Sequence, residues 1–343
     1  MQNQLIAGAL TLLCSFTLTY FLRGWLQKGG LMDVPNARSS HARPIPRGGG
    51  LAILVGLLVG LIVWRLLDPT LTLPSLWFFV AWGSVAIISF LDDRGSLPAG
   101  LRMGVHALAA GLILWDQGGI SQFPIPEPLN FSMGWLSYPL GFVWILAVLN
   151  FFNFMDGING YAGTQALLAG IFFAWLDPQG VGMVLGSLVA LGAIGFLFFN
   201  AGKASIFMGD VGSISLGFLF AALPFYVQSG TTPDTVYLTV LILWFFLADA
   251  AFTMFRRLLR REKIWQAHRE HYYQQLVQAG WSHTKVVLVV MTASGLLFLG
   301  SFMYLQRSQA YSWLPLAVAG IFMIGYWRLV RWAKRKANKT TGA

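Results

Sequence analysis

Apolar stretches long enough to cross a bilayer recur along the whole chain, and they leave little room between them for any other kind of fold. A helix needs about 20 apolar residues to span the hydrocarbon. On that ruler the sequence divides into about eleven spans, near residues 3–23, 48–67, 75–91, 99–116, 136–153, 161–176, 181–199, 211–228, 235–255, 284–304 and 312–330. At 56% hydrophobic and 10% charged residues, the chain is not a soluble globular protein. The fold expected is all-α: one polytopic transmembrane domain over 1–343, with 256–283 as a long cytoplasmic loop within it and 331–343 as a basic cytoplasmic tail.

The basic residues set the expected orientation. The first of them, Arg23, follows the first span, whereas a cleaved signal peptide carries its positive charge ahead of the apolar run. A retained helix with its N-terminus outside is therefore expected. All but Arg65 and Arg307 of the 23 Lys and Arg residues then fall at inner ends, as the positive-inside rule requires. The net charge of +10 reads as this topology signal and not as a nucleic-acid surface. Arg256, Arg257, Arg260, Arg261, Lys263 and the tail Lys334-Arg335-Lys336 are also placed to meet anionic headgroups. The lone Cys14 excludes an intramolecular disulfide and reads as apolar filling.

Acidic residues split by side. Asp68, Asp116, Glu127, Asp177 and Asp234 fall at outer ends and read as solvated, whereas Asp33, Asp92, Asp93, Asp156 and Asp210 fall at the inner face. Carboxylates are costly near hydrocarbon, so this gathering points to a divalent cation and a phosphorylated substrate on the cytoplasmic side.

The loop after the first span holds Asn36, Arg38, His41, Arg47 and then Gly48-Gly49-Gly50. Free backbone N–H groups at a helix start, with Arg47 beside them, would make an anion site; an ordinary Pro/Gly turn is the plainer alternative. Asp92-Asp93 ends the third span, where adjacent carboxylates repel and the helix dipole disfavours them. Asn150, Asn153 and Asp156 recur at a spacing that puts them on one helix face, and their oxygens are the hard ligands Mg²⁺ prefers. The loop with Asn200, Lys203, Phe207 and Asp210 offers the parts to stack a base, neutralise phosphate and hold a metal. Asp249 lies about two turns inside the ninth span and is a functional candidate by default, with pairing to an Arg or His on a neighbouring helix as its rival reading. His106 reads more simply as a satisfied buried histidine. In the longest inner loop His268, Arg269 and His271 could clamp a pyrophosphate, Arg giving the planar fork; zinc is a weaker reading for two histidines alone.

In their order and on their expected side of the membrane, these motifs resemble the polyprenyl-phosphate N-acetylhexosaminyl-1-phosphate transferases, the WecA- and MraY-like enzymes. The resemblance runs from about Asp33 to Tyr273, and the wording around His268-Arg269-Glu270-His271-Tyr272-Tyr273 is similar to the branch that initiates O-antigen. It implies that Asp92, Asp93 and Asp156 serve catalysis and that Asn153 and Asp210 contact the metal. It further implies that Asn159, Asn200 and Phe207 hold the uracil and that His268, Arg269 and His271 contact phosphate. Asn159 stands where many bacterial members have Asp, and Val211 where Thr is usual.

The activity so implied is transfer of a HexNAc-1-phosphate from a UDP-sugar to undecaprenyl phosphate in a bacterial inner membrane, releasing UMP. The sugar nucleotide would be UDP-GlcNAc or a 6-deoxy donor such as UDP-FucNAc or UDP-QuiNAc. Mg²⁺ is the expected cofactor, Mn²⁺ its alternative, and a homodimer is left open. A membrane transporter and an intramembrane aspartyl protease are the rivals from other classes. The first wants its site near the bilayer midplane; the second needs neither a metal nor a basic loop.

Overall fold

In hydrocarbon every backbone N–H and C=O must find its partner within the protein, so apolar runs of this length become helices. The computed structural model describes residues 2–35, 43–126, 129–228, 232–263, 268–306 and 313–341. Its helices are α1 Gln2–Lys28, α2 Gly50–Leu67, α3 Leu76–Gly95, α4 Ala99–Gln117, α5 Ser137–Phe154, α6 Tyr161–Leu176, α7 Val181–Asn200, α8 Asp210–Ala222, α9 Thr232–Ile242, α10 Trp244–Leu259, α11 Tyr272–Gln278, α12 His283–Gln306 and α13 Leu314–Thr341. The strands β1 Met32–Asp33 and β2 Ile45–Pro46 pair antiparallel as a short ribbon between α1 and α2. The protein is thus an all-α polytopic membrane protein.

Each expected apolar run holds helix, but they are not eleven equal spans. Among the described residues seven helices are long and apolar enough to cross a membrane, or eight if one bent pair counts as a span. That pair falls on the expected ninth span, which is bent: α9 and α10 meet at 82°. The helices α6 and α8, of 16 and 13 residues, are apolar but shorter than a full crossing. Leu5, Leu66, Leu108 and Phe198 face outward, each more than two-thirds exposed, a surface suited to lipid.

The short α8 is the centre of the bundle. Every residue from Val211 to Ala222 is buried, with α3, α5 and α2 packed around it. Without a hydrophobic drive between helices in lipid, close approach over small residues supplies the attraction. Gly50 of α2 meets Gly212 of α8 so closely that a Cβ on Gly50 would overlap the Gly212 Cα. At the α6–α7 contact a Cβ on Gly170 would stand 2.6 Å from the Gly186 carbonyl oxygen.

Gly170→Val is therefore expected to cost about 1–3 kcal/mol, the usual range for overpacking, because backbone atoms cannot yield as a side chain can. Thermal unfolding in detergent checks this. Gly83→Val, where nothing lies within 4 Å of a Cβ, is expected to melt near the parent protein.

Candidate active site

The C-terminal end of α3 carries both aspartates, and the structure gives them different work. Asp92 accepts from the Leu97 N–H at 2.6 Å and from Arg102 Nη1 at 2.6 Å. Asp93 reaches across to α8, where Oδ1 accepts from the Asp210 N–H at 3.1 Å and Oδ2 from the Val211 N–H at 2.9 Å. A helix start leaves four N–H groups without intrahelical partners, and here a carboxylate from another helix serves two of them with favourable dipole electrostatics. Arg47 Nη2 donates to the Asp93 carbonyl oxygen at 2.8 Å.

This capping places Asp210. Its Oδ1 accepts from Asn153 Nδ2 at 3.0 Å, its Oδ2 lies 3.7 Å from Arg102 Nη1, and Asn153 Nδ2 also donates to Ser213 Oγ at 2.9 Å. Gly209 precedes Asp210 at φ +75°, and a Cβ there would lie 2.7 Å from Asp93 Oδ2. Only glycine allows both the backbone and the approach. In the turn after α5, burial first and then the charges of Asp210 and Asp93 push the Asp156 carboxyl well above the usual carboxylate range. Asp92, Asp93, Asn153, Asp156 and Asp210 therefore form one acidic cluster with Arg47 and Arg102 at its edge.

Two expectations for the loops change. The glycine run is not an open anion cradle: Gly48 and Gly49 donate to the Phe207 carbonyl at 3.2 and 2.9 Å, and Gly50 to that of Met208 at 2.8 Å. Phe207 N–H returns a bond to the Pro46 carbonyl at 2.8 Å, so the run anchors the Phe207–Asp210 turn to the start of α2. Asn150 is also outside the cluster's hydrogen bonding, its Nδ2 donating back to the Leu146 carbonyl at 2.7 Å.

Around the base-binding expectation, Asn200 accepts from the Gly160 N–H at 2.9 Å and donates to the Ile206 carbonyl at 3.0 Å. Asn159 Nδ2 donates to the Gly202 carbonyl at 2.7 Å. These amides brace the two loops against each other, beside a half-buried Phe207 and an exposed Lys203. Asn36, Arg38 and His41 lie outside the described residues.

The segment that carries His268 to His271 leads into α11. His268 and His271 stand with ring centroids 4.8 Å apart, and His271 opens α11 with a capping box to Gln274. Burial, helped by His271 and Arg257, holds the His268 imidazole down at about 4, so at neutral pH it offers hydrogen bonds rather than charge. Arg269 is half-buried beside it. Asp249 is fully buried, and its carboxylate accepts the N–H groups of Tyr272 and Tyr273, so it faces the loop backbone.

Sequence reasoning missed Arg102. Its signal was a cation in the first turn of an apolar helix, where the dipole disfavours it, just across a turn from Asp92. It missed Ser213 too, one turn after Asp210. His106 is buried as expected, but both its ring nitrogens lack a hydrogen-bond partner among the described residues.

Among the described residues no three His, Cys, Asp or Glu side chains form a ready-made metal site. The donor set of Asp156, Asp210 and the Asn153 amide is nevertheless hard oxygen, and Mg²⁺ is usually held by one or two carboxylates with waters and substrate phosphates completing its shell. The residues fit that ion.

Two outcomes test this geometry. Asp93→Ala leaves two buried N–H groups without their acceptor and is expected to destabilise the protein by about 1–3 kcal/mol, read as a drop in detergent melting temperature. For His268 the folded value lies below the ordinary 6.5, so its neutral form stabilises the fold fully above pH 6.5 and loses that contribution as pH falls towards 4. His268→Gln is expected to flatten the fall in melting temperature across that window.

Comparison with known proteins agrees with this geometry. The family model described as glycosyl transferase family 4 matches residues 75–228, which runs from the start of α3 past α8 and takes in the whole acidic cluster. A probable undecaprenyl-phosphate N-acetylglucosaminyl 1-phosphate transferase of Bacillus subtilis is 28% identical, over 93% of this chain and 89% of its own. The undecaprenyl-phosphate alpha-N-acetylglucosaminyl 1-phosphate transferase of Escherichia coli K12 is 28% identical over 92% and 90%. A decaprenyl-phosphate N-acetylglucosaminephosphotransferase of Mycolicibacterium smegmatis is 26% identical over 85% and 81%. The motifs stand in the order that the resemblance to the WecA- and MraY-like transferases implies, and the stretch that is similar to glycosyl transferase family 4 holds the carboxylates that the fold draws into one cluster.

Proposed function

We propose that the protein transfers a HexNAc-1-phosphate from a UDP-HexNAc to undecaprenyl phosphate, giving undecaprenyl-diphosphate-HexNAc and UMP at the cytoplasmic face of a bacterial inner membrane. The observation that carries the reading is the convergence of Asp92, Asp93, Asn153 and Asp210 from three separate helices with Arg102 between Asp92 and Asp210. GlcNAc is the preferred sugar, because it is the group in the names of the relatives above. A 6-deoxy donor and a role in O-antigen initiation rest on the wording of the His268–Tyr273 loop alone.

In this reaction an oxygen of the lipid phosphate attacks the β-phosphorus, and the bond from that phosphorus to the bridging oxygen breaks, so that UMP leaves with the electron pair. Mg²⁺, held by Asp210 with Asp156 and the Asn153 amide oxygen, would supply charge stabilisation for the phosphoryl oxygens. Arg102 and Arg47 bring fixed positive charge to a site where two anionic substrates must meet. Asp92 is tied to Arg102 and to a backbone N–H, and Asp93 to the start of α8. Neither is a free base. The lipid phosphate needs none, since a phosphate monoester with a second pKa of about 6 is already largely dianionic at neutral pH. His268 and Arg269 would hold the diphosphate, with Phe207 as a face for the uracil.

Membranes given radiolabelled UDP-GlcNAc, UDP-FucNAc or UDP-QuiNAc with undecaprenyl phosphate, then extracted, test the proposal. Label is expected in the lipid phase, removed by a chelator and restored by Mg²⁺. Activity that survives the chelator as proteolysis favours the aspartyl protease, and label moving across vesicles unchanged favours the transporter. Asp210→Asn is expected to lower kcat by on the order of 10²-fold or more, the scale for losing one electrostatic stabiliser. A stoichiometric release of UMP without lipid would replace the single displacement by a covalent intermediate.

A further inference from the structure

The proposed transfer needs the inner loop held against the acidic cluster, and α10 carries the means on one face. Asp249, Thr253, Arg256 and Arg257 recur at helical spacing. Arg257 Nη1 donates to Glu270 Oε1 at 2.7 Å and its Nη2 to the Lys263 carbonyl at 3.1 Å, while Arg256 Nη2 donates to the Glu270 carbonyl at 2.9 Å. Deeper on the same face, Asp249 has no exposure at all. A buried carboxylate is costly unless hydrogen-bonded. Here it accepts from the N–H groups of Tyr272 at 2.8 Å and Tyr273 at 3.2 Å and from Thr253 Oγ1 at 3.2 Å, with His271 Nδ1 at 3.5 Å.

Tyr273 continues the connection. It is fully buried, its ring stacks on His271 with centroids 5.9 Å apart, and its hydroxyl donates to the Phe154 carbonyl at 3.0 Å. Phe154 is the last residue of α5, and two residues on comes Asp156. The turn is shaped around this phenol, because a Cβ on Gly157 would collide with the Tyr273 hydroxyl.

We infer that Asp249 and Tyr273 are positioning residues that seat the His268–His271 loop on the Asp156 turn, and so set the binding of the sugar nucleotide. Neither touches substrate. Asp249 anchors the start of α11 from the bent helix, and Tyr273 fixes the same turn of α11 to the end of α5. The inference rests on the function proposed above for its choice of substrate, but the seating of the loop does not.

The test uses the full-length protein in detergent, with steady-state transfer from UDP-GlcNAc to undecaprenyl phosphate and limited trypsin cleavage after Arg269. Asp249→Asn offers one acceptor oxygen where the carboxylate has two. It is expected to raise the KM for UDP-GlcNAc about tenfold, the scale of one hydrogen bond to a charged group, with the lipid KM unchanged and Arg269 cut faster. Asp249→Glu is expected to recover part of the loss. Tyr273→Phe, which removes one hydroxyl and keeps the buried ring, is expected to shift both readouts the same way to a smaller extent. Parental KM for UDP-GlcNAc and parental cleavage in Asp249→Asn would overturn the inference. So would an equal rise in both KM values with a fallen melting temperature, the mark of a general loss of structure. If the parent protein transfers no sugar phosphate, the functional reading fails, and the cleavage rates alone decide whether Asp249 seats the loop.

Discussion

The bond between the Asp93 carboxylate and the first two N–H groups of α8 is the constraint on which the rest of the site depends. A buried N–H left without a partner costs about 1–3 kcal/mol, and α8 starts inside the bundle with helices on several sides. Asp93 supplies the acceptor from α3. That choice sets where Asp210 begins its helix, requires Gly209 at φ +75°, and brings the Phe207 and Met208 carbonyls to the N–H groups of Gly48, Gly49 and Gly50. Capping, loop anchoring and active-site placement are consequences of one contact.

Charge then decides what the cluster is for. Asp156 feels the charges of both Asp210 and Asp93, which add to burial in raising its carboxyl. Arg102 offsets part of the negative charge, standing 2.6 Å from Asp92 and 3.7 Å from Asp210. Excess negative charge, hard oxygen donors and arginines at the edge are the features on which the proposed divalent cation and its phosphates rest. Such a site is poorly matched to an apolar substrate or to a peptide.

Much of this was legible in the residues. Apolar run length located the helices, because hydrocarbon allows little else, and the positions of the polar motifs at run ends located the cluster. What failed was anything set by packing between distant elements. The 82° break between α9 and α10 has no proline or glycine at Leu243 to announce it. The Gly48–Gly50 N–H groups looked free because the strand-like segment that binds them, Phe207–Met208, lies far along the chain. Asp249 drew attention as a buried charge, and His271 does stand 3.5 Å from it as the pairing reading allowed. It also accepts from the N–H groups of Tyr272 and Tyr273, however, and these are partners no side-chain pattern reveals. Arg102 was hidden inside a span, where a lone cation reads as a blemish in an apolar run until its two carboxylate neighbours are seen.

Arg102 on α4 and Asn153 on α5 meet Asp210 at different oxygens. A double-mutant cycle on kcat/KM for lipid-linked transfer with Arg102→Ala and Asn153→Ala measures directly whether they act through one centre. The account predicts strong non-additivity, with a coupling of about 1 kcal/mol or more, as expected of residues that share a partner. Losses that add to within about 0.5 kcal/mol, the behaviour of independent sites, would contradict it.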